Sequence, residues 1–314
     1  MDRARLAYLA VFLGVCGHAS SEFFAVLSGV RGPEVSVWRY TIGSIGLIAA
    51  ALIWPKSRDL WTPLKAHFPR LLWLSVVGFT LAYLAFHWSL DFATAVQVGT
   101  LVTTIPIFVG VANLVINRVA FTTPKIVTGL AAVAGIALLL TDGYLFELAG
   151  REGSLTGIGL AVGCAALVAI YAVSAKPLIN TYGAIRITTI TMAMGTVGLW
   201  LLVGASWGIW IDPLSLFDRE PQAAWSLLVL GLYNTTITQL LWLGGLAAVP
   251  DITRGSYLFF LKPVITAVLA YLFLTQPITW IQVAAIAVIS GAVVLELLWP
   301  TLAARRAGSA GRPR

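Results

Sequence analysis

The chain has 314 residues, 59% of them apolar and only 11% charged, where a soluble domain carries about 25% charged residues, so a water-facing globule is excluded. The formal charge of +7 comes from basic residues scattered through short loops rather than gathered on one arm or face, which excludes a nucleic-acid surface. Two cysteines, Cys16 and Cys164, have no His or Cys neighbours at ligand spacing, so neither a metal site nor any other cofactor is expected.

A helix crosses about 30 Å of hydrocarbon with about 20 mostly apolar residues. Apolar run length, with breaker residues as punctuation, predicts a first span at 6–28, which follows Met1 to Arg5 directly and is too long for a signal-peptide core. It carries a polar stripe of His18, Ser20, Ser21 and Glu22, with His18 and Glu22 four apart on one face. The second span, 34–54, has Arg39 just inside it, and the third, 70–90, ends with His87 and Asp91 four apart. These three read as interfacial groups that reach water, with a surface gate as the other reading. The fourth span, 94–116, contains Pro106, and the fifth, 124–141, starts at Thr123 and Pro124, suited to a cap and a first turn.

After a loop at 142–154 the sixth span, 155–178, holds Cys164, Tyr171 and Ser174. The seventh is placed at 184–204. The eighth, 223–248, carries Tyr233, Asn234, Thr235, Thr236, Thr238, Gln239 and Trp242. Its Asn234 and Gln239 suit a cavity, Tyr233 and Trp242 offer ring surface, and the threonines serve equally for hydrogen bonds between helices. The ninth, 255–274, contains Tyr257 and, near its middle, Lys262 beside Pro263. A lysine held in hydrocarbon either binds an anionic substrate group or pairs with carbonyls or an acid. The tenth span, 279–299, leads to a basic tail at 301–314.

Lys and Arg alternate across these loops as the positive-inside rule requires. Fifteen of the 20 fall on one side, Arg31, Arg39, Arg151 and Arg219 on the other, and Lys262 in mid-span, which places both termini in the cytoplasm.

The two halves, 1–145 and 146–300, resemble each other at a shift of about 157 residues. The clearest match sets Leu101 to Pro106 against Leu258 to Pro263, and Thr122, Gly135, Gly78 and Trp88 find looser counterparts in Thr279, Gly291, Gly231 and Trp242. Five spans per half means the second copy enters from the opposite side. Such inverted repeats suit a carrier that opens one central site to each face in turn.

Gly157 to Lys176, Trp242 to Pro263, and the Gly135 and Gly291 positions resemble the EamA-like branch of the drug/metabolite transporter superfamily across nearly the whole chain. The family's Leu-Gly-Glu type of turn is replaced here by Ile116-Asn117-Arg118 and Leu274-Thr275-Gln276. The resemblance implies an all-α integral membrane protein of ten transmembrane helices, two inverted five-helix repeats around a central cavity. It implies that helices one, three, four, six, eight and nine line that cavity. Lys262 also matches the lysine of a Lys-Arg pair in the related plastid phosphate translocators, whereas Pro263 replaces the arginine.

The function expected is secondary transport, with export as the common direction, of a small organic metabolite such as an amino acid across a cell inner membrane. Lys262, Asn234, Gln239, Tyr233, Tyr257, Ser21, Tyr171 and Trp242 are the substrate candidates. Glu22 and His18 are the candidates for proton coupling, and Pro263 and Pro106 for gating. No Gly-rich phosphate loop is present, so a gradient must supply the energy. A lipid flippase is the alternative, followed by an intramembrane hydrolase, for which neither GxSxG nor HExxH is present. The expected partners are the small-molecule substrate and the lipid bilayer. Small residues on helices five and ten suit either a homodimer or contacts within one chain.

Overall fold

The computed structural model describes residues 3–30, 32–93, 95–141, 154–274 and 279–310, and every regular element among them is helical. In chain order these are α1 (Arg3–His18), α2 (Ser21–Leu27), α3 (Gly32–Ile53), α4 (Trp61–Ser75), α5 (Ala82–Ser89), α6 (Ala95–Val102), α7 (Ile105–Asn117), α8 (Thr123–Thr141), α9 (Ser154–Tyr182), α10 (Ala184–Trp207), α11 (Pro221–Gly231), α12 (Thr238–Ala248), α13 (Ile252–Ser256), α14 (Lys262–Leu274) and α15 (Trp280–Ala310). Eight helical stretches among the described residues are long and apolar enough to cross a membrane. The predicted fourth and fifth spans are represented by shorter apolar helices, Ile105–Asn117 and Thr123–Leu139. The fourth is short because the chain turns at Thr103 and Thr104, between α6 and α7.

Pro106 and Pro263 both sit in the first turn of a helix, α7 and α14. A proline there loses no intrahelical bond, so each starts a helix rather than kinking one. Just upstream of Pro263 the chain is wound more tightly, in a 3-10 segment over Tyr257–Leu261.

Two further interruptions are wide i→i+5 turns, Val76–Leu81 between α4 and α5 and Leu232–Ile237 between α11 and α12. Threonines serve the second. Thr235 Oγ1 donates to Leu230 O at 2.8 Å, Thr236 Oγ1 to Gly231 O at 3.2 Å and Thr238 Oγ1 to Tyr233 O at 2.9 Å. Each bond reaches five residues back, to the carbonyls that the wider winding displaces.

The interruptions recur. Val76 and Leu232 begin the wide turns 156 residues apart, while Ile105 and Lys262, and Thr123 and Trp280, begin matching helices 157 apart. Packing follows the same pattern, with α1 along α12, α5 along α9, α3 along α10 and α8 along α15. Small residues permit these approaches. Gly14 lies so close to α12 that a Cβ there would stand 2.7 Å from Trp242 Cβ, and one on Gly135 would stand 2.8 Å from Ile289 Cγ1. Its predicted counterpart Gly291 faces open space among the described residues, so this glycine pair does not share an environment.

α15 runs on to Ala310, well beyond the predicted end at 299, so most of the basic tail continues the tenth helix. Asp142, Glu147 and Glu152, in the loop expected at 142–154, lie outside the described residues, as do Arg31, Arg151, Thr275, Gln276 and the Glu22 side chain.

Candidate functional site

Near the centre of the bundle His18, Ser21, Arg39, Tyr83, Phe86, Val102, Ile105, Cys164, Val168, Trp242, Phe259 and Lys262 enclose a cavity. Its void measures about 20 Å³, room for a water molecule or two. A wider cleft of about 610 Å³ opens toward the end that carries Arg3 and Lys176, between α1, α9, α10 and α12.

Four of the substrate and coupling candidates meet at the central cavity. Lys262 is 4% exposed and its ammonium lies 5.8 Å from the centre of the Phe259 ring. That ring also stands edge-on to His18 at 5.5 Å, and His18 in turn stands edge-on to Trp242 at 5.6 Å. Ser21 completes the set, donating to the His18 carbonyl at 3.0 Å. The imidazole Nε2 of His18 and the indole Nε1 of Trp242 are buried without a hydrogen-bond partner among the described residues.

The other candidates lie elsewhere. Asn234 Nδ2 donates to Gly17 O at 2.6 Å and to Ser20 Oγ at 2.9 Å, fastening α1 to the wide turn. Gln239 Nε2 donates to the Tyr83 hydroxyl, which does line the cavity. The Tyr171 hydroxyl meets Thr191 Oγ1 at 2.9 Å, and its ring abuts Phe79. Tyr257 donates to the Lys125 carbonyl. Ser174 serves through its carbonyl, which accepts from Arg70 Nη2 at 2.8 Å. Tyr233 turns to the outside of the bundle, 42% exposed.

Arg39 and His87 require correction. Asp91 is exposed as expected for an interfacial group, but Arg39 is 1% exposed and His87 is fully buried. An arginine buried within a membrane helix is costly, up to about 2.5–3.5 kcal/mol at the helix centre on insertion scales, so it must be held. Its Nε donates to Thr235 Oγ1 at 2.8 Å, its Nη2 to the Asn234 carbonyl at 3.1 Å, and its Nη1 faces His87 Nε2 at 3.5 Å. His87 Nδ1 lies 2.8 Å from Ser36 Oγ, which itself donates to the Tyr83 carbonyl at 3.0 Å. That order fixes the tautomer: Nδ1–H donates to Ser36, and the Nε2 lone pair faces the guanidinium. The wide turn thus supplies both the hydroxyl and the carbonyl that hold Arg39.

A second polar cluster escaped the sequence reading. Lys125 Nζ meets Asp251 Oδ2 at 2.6 Å, and Arg254 Nε donates to Glu296 Oε1 at 3.1 Å. Thr128 Oγ1 reaches the other Glu296 oxygen at 3.3 Å, so α8, α13 and α15 are tied together. Burial raises the Asp251 pKa, but the hydrogen bonds from Lys125 and the Arg254 amide outweigh it and hold the carboxyl below its usual value. Glu296 is fully buried within the predicted tenth span, and the rule that singled out Lys262 applies to it equally.

The sequence model of the EamA-like transporter family matches residues 5–141 and 155–298. The chain belongs to the EamA-like transporter family. EamA-like membership makes it a membrane transporter of several spans. An uncharacterized transporter of Archaeoglobus fulgidus is 22% identical over 292 residues, covering 93% of this chain and 95% of its own. A solved crystal structure superposes with a TM-score of 0.76 at 18% identity, covering 97% of this chain and 98% of that one, which shows a shared fold.

Proposed function

We propose that this EamA-like protein is a secondary transporter that moves a small organic metabolite by alternating access, with ten spans arranged as two inverted five-helix repeats. The single observation that carries this reading is the recurrence of helix interruptions. Wide turns at 76–81 and 232–237, and helix bounds 157 residues apart in the fourth, fifth, ninth and tenth spans, are what one five-helix unit copied into both halves leaves behind. Two such units inserted in opposite senses exchange conformations, and the site between them opens to each side in turn.

The central cavity is the site in this reading. Its void holds no more than a water or two in the present conformation, so cargo enters only when the halves part. Lys262, His18, Ser21 and Trp242 contact it there, and Glu22 carries the coupling proton. The broader cleft beside Arg3 and Lys176 is the cytoplasmic vestibule, both termini lie in the cytoplasm of a cell with an inner membrane, and the physiological direction is export.

The reading is tested by reconstituting the full chain into liposomes and screening labelled metabolites, amino acids first, with and without an imposed pH gradient. Saturable uptake that the gradient accelerates is the expected result. Cleavage of a solute with no net movement of any would replace the transporter with an enzyme.

A further inference from the structure

Resting on that transporter reading, and narrowing its cargo, we infer that Arg39 is the anion-binding residue of the central cavity and that the cargo is an organic anion bearing a carboxylate. The first reason is the chemistry of Arg39's own contacts. Thr235, Asn234 and His87 meet it with a hydroxyl, a carbonyl and an imidazole nitrogen, none of them an anion. A guanidinium does not lose its proton in a protein, so its charge is present whatever the pH. Of its five N–H groups three are engaged among the described residues, which leaves one on Nη1 and one on Nη2, and Arg39 lines the cavity. Two N–H groups on one planar fork suit the two oxygens of a carboxylate.

The second reason is the rest of the wall. The indole N–H of Trp242 is a buried donor without a hydrogen-bond partner among the described residues, and Lys262 adds a second cation to the lining. None of the described lining residues is an Asp or a Glu. Among the described residues such a wall offers hydrogen-bond donors and positive charge, which favours an anionic group on the cargo. Tyr83, Phe86, Trp242 and Phe259 supply ring surface for an apolar body behind the carboxylate.

Three probes with the same phenyl body separate the charge types: 3-phenylpropionate, an anion; phenylalanine, a zwitterion; and phenethylamine, a cation. Equilibrium binding of each to the full chain in detergent requires no variant. The wild-type protein is expected to bind 3-phenylpropionate at least about tenfold more tightly than either of the others. Arg39→Met should weaken that binding by about a hundredfold, and Arg39→Lys, which keeps the charge and loses the fork, should fall between. Gel filtration confirms that each variant is folded. Equal or tighter binding of phenylalanine or phenethylamine by the wild type, failure to bind 3-phenylpropionate, or a folded Arg39→Met protein that binds it unchanged would overturn the inference. Uptake of other solutes with no anion preference rejects this inference and leaves the transporter reading standing. Arg39-dependent binding with no solute moved does the reverse.

Discussion

Lys125 and Asp251 meet at 2.6 Å although the cation stands on α8 and the carboxylate in the turn between α12 and α13. The Lys125 side chain is buried and that of Asp251 mostly so. Removing one member of a buried pair costs about 3–5 kcal/mol because it strands the other charge, and the partial exposure of Asp251 reduces this to about 1–3 kcal/mol. Asp251→Asn should therefore lower the unfolding free energy in detergent by that amount. The double variant Asp251→Asn with Lys125→Met should recover part of the loss, as read by a denaturation series.

The same pair sets an acid limit. Because the Asp251 pKa is depressed in the folded protein, its contribution is fully present above the ordinary carboxylate value near 3.8 and is lost as pH falls through the depressed value. Wild-type stability should therefore drop more steeply below about pH 4 than that of Asp251→Asn. Parallel curves for the two proteins across that range would show that the pair does not couple folding to protons.

Gly17 on α1 lies directly against Thr238 on α12, where an added Cβ would collide with the threonine hydroxyl. Gly17→Ala should destabilise the protein by about 1–3 kcal/mol through forced separation of the two helices. Gly163 on α9 has nothing within 4 Å of such a Cβ. Gly163→Ala should be neutral, or stabilising by up to about 1 kcal/mol from helix propensity. Thermal unfolding of the two variants side by side checks the contrast.

Much of the fold was legible because hydrophobic run length and breaker residues report directly on where a helix can sit in hydrocarbon. The residues that meet at the cavity were legible where a polar group stood deep in an apolar run, as with His18 and Ser21 on either side of the break between α1 and α2, and Trp242 on α12. Lys262 was legible from its depth alone, at the point where the chain leaves its 3-10 segment. Elsewhere local winding hid the answer. Tyr233 and Asn234 lie in an i→i+5 turn and Tyr257 in a 3-10 segment, where side chains do not follow the 3.6-residue period by which a face is read from sequence. Arg39 was misread for another reason. Distance from a helix end measures depth along one axis, and it says nothing of the neighbours, here Thr235, Asn234 and His87, that close around the side chain.

Glu22 stands in the second residue of α2, next to the cavity-lining Ser21. If it carries the coupling proton, Glu22→Gln should abolish accumulation driven by a pH gradient while leaving substrate counterflow, which needs no net proton movement, within about twofold of wild type. Gradient-driven accumulation that survives the substitution would assign the proton to another group.

Alternating access at the central cavity is tested most directly through Cys164, which lines it and is one of only two cysteines in the chain. In a Cys16→Ser background, a membrane-impermeant thiol reagent applied to sealed vesicles of either orientation should label Cys164 from both sides, and transported solute should slow the labelling from each. Labelling from one side alone, whatever solute is present, would contradict a site that opens to both faces.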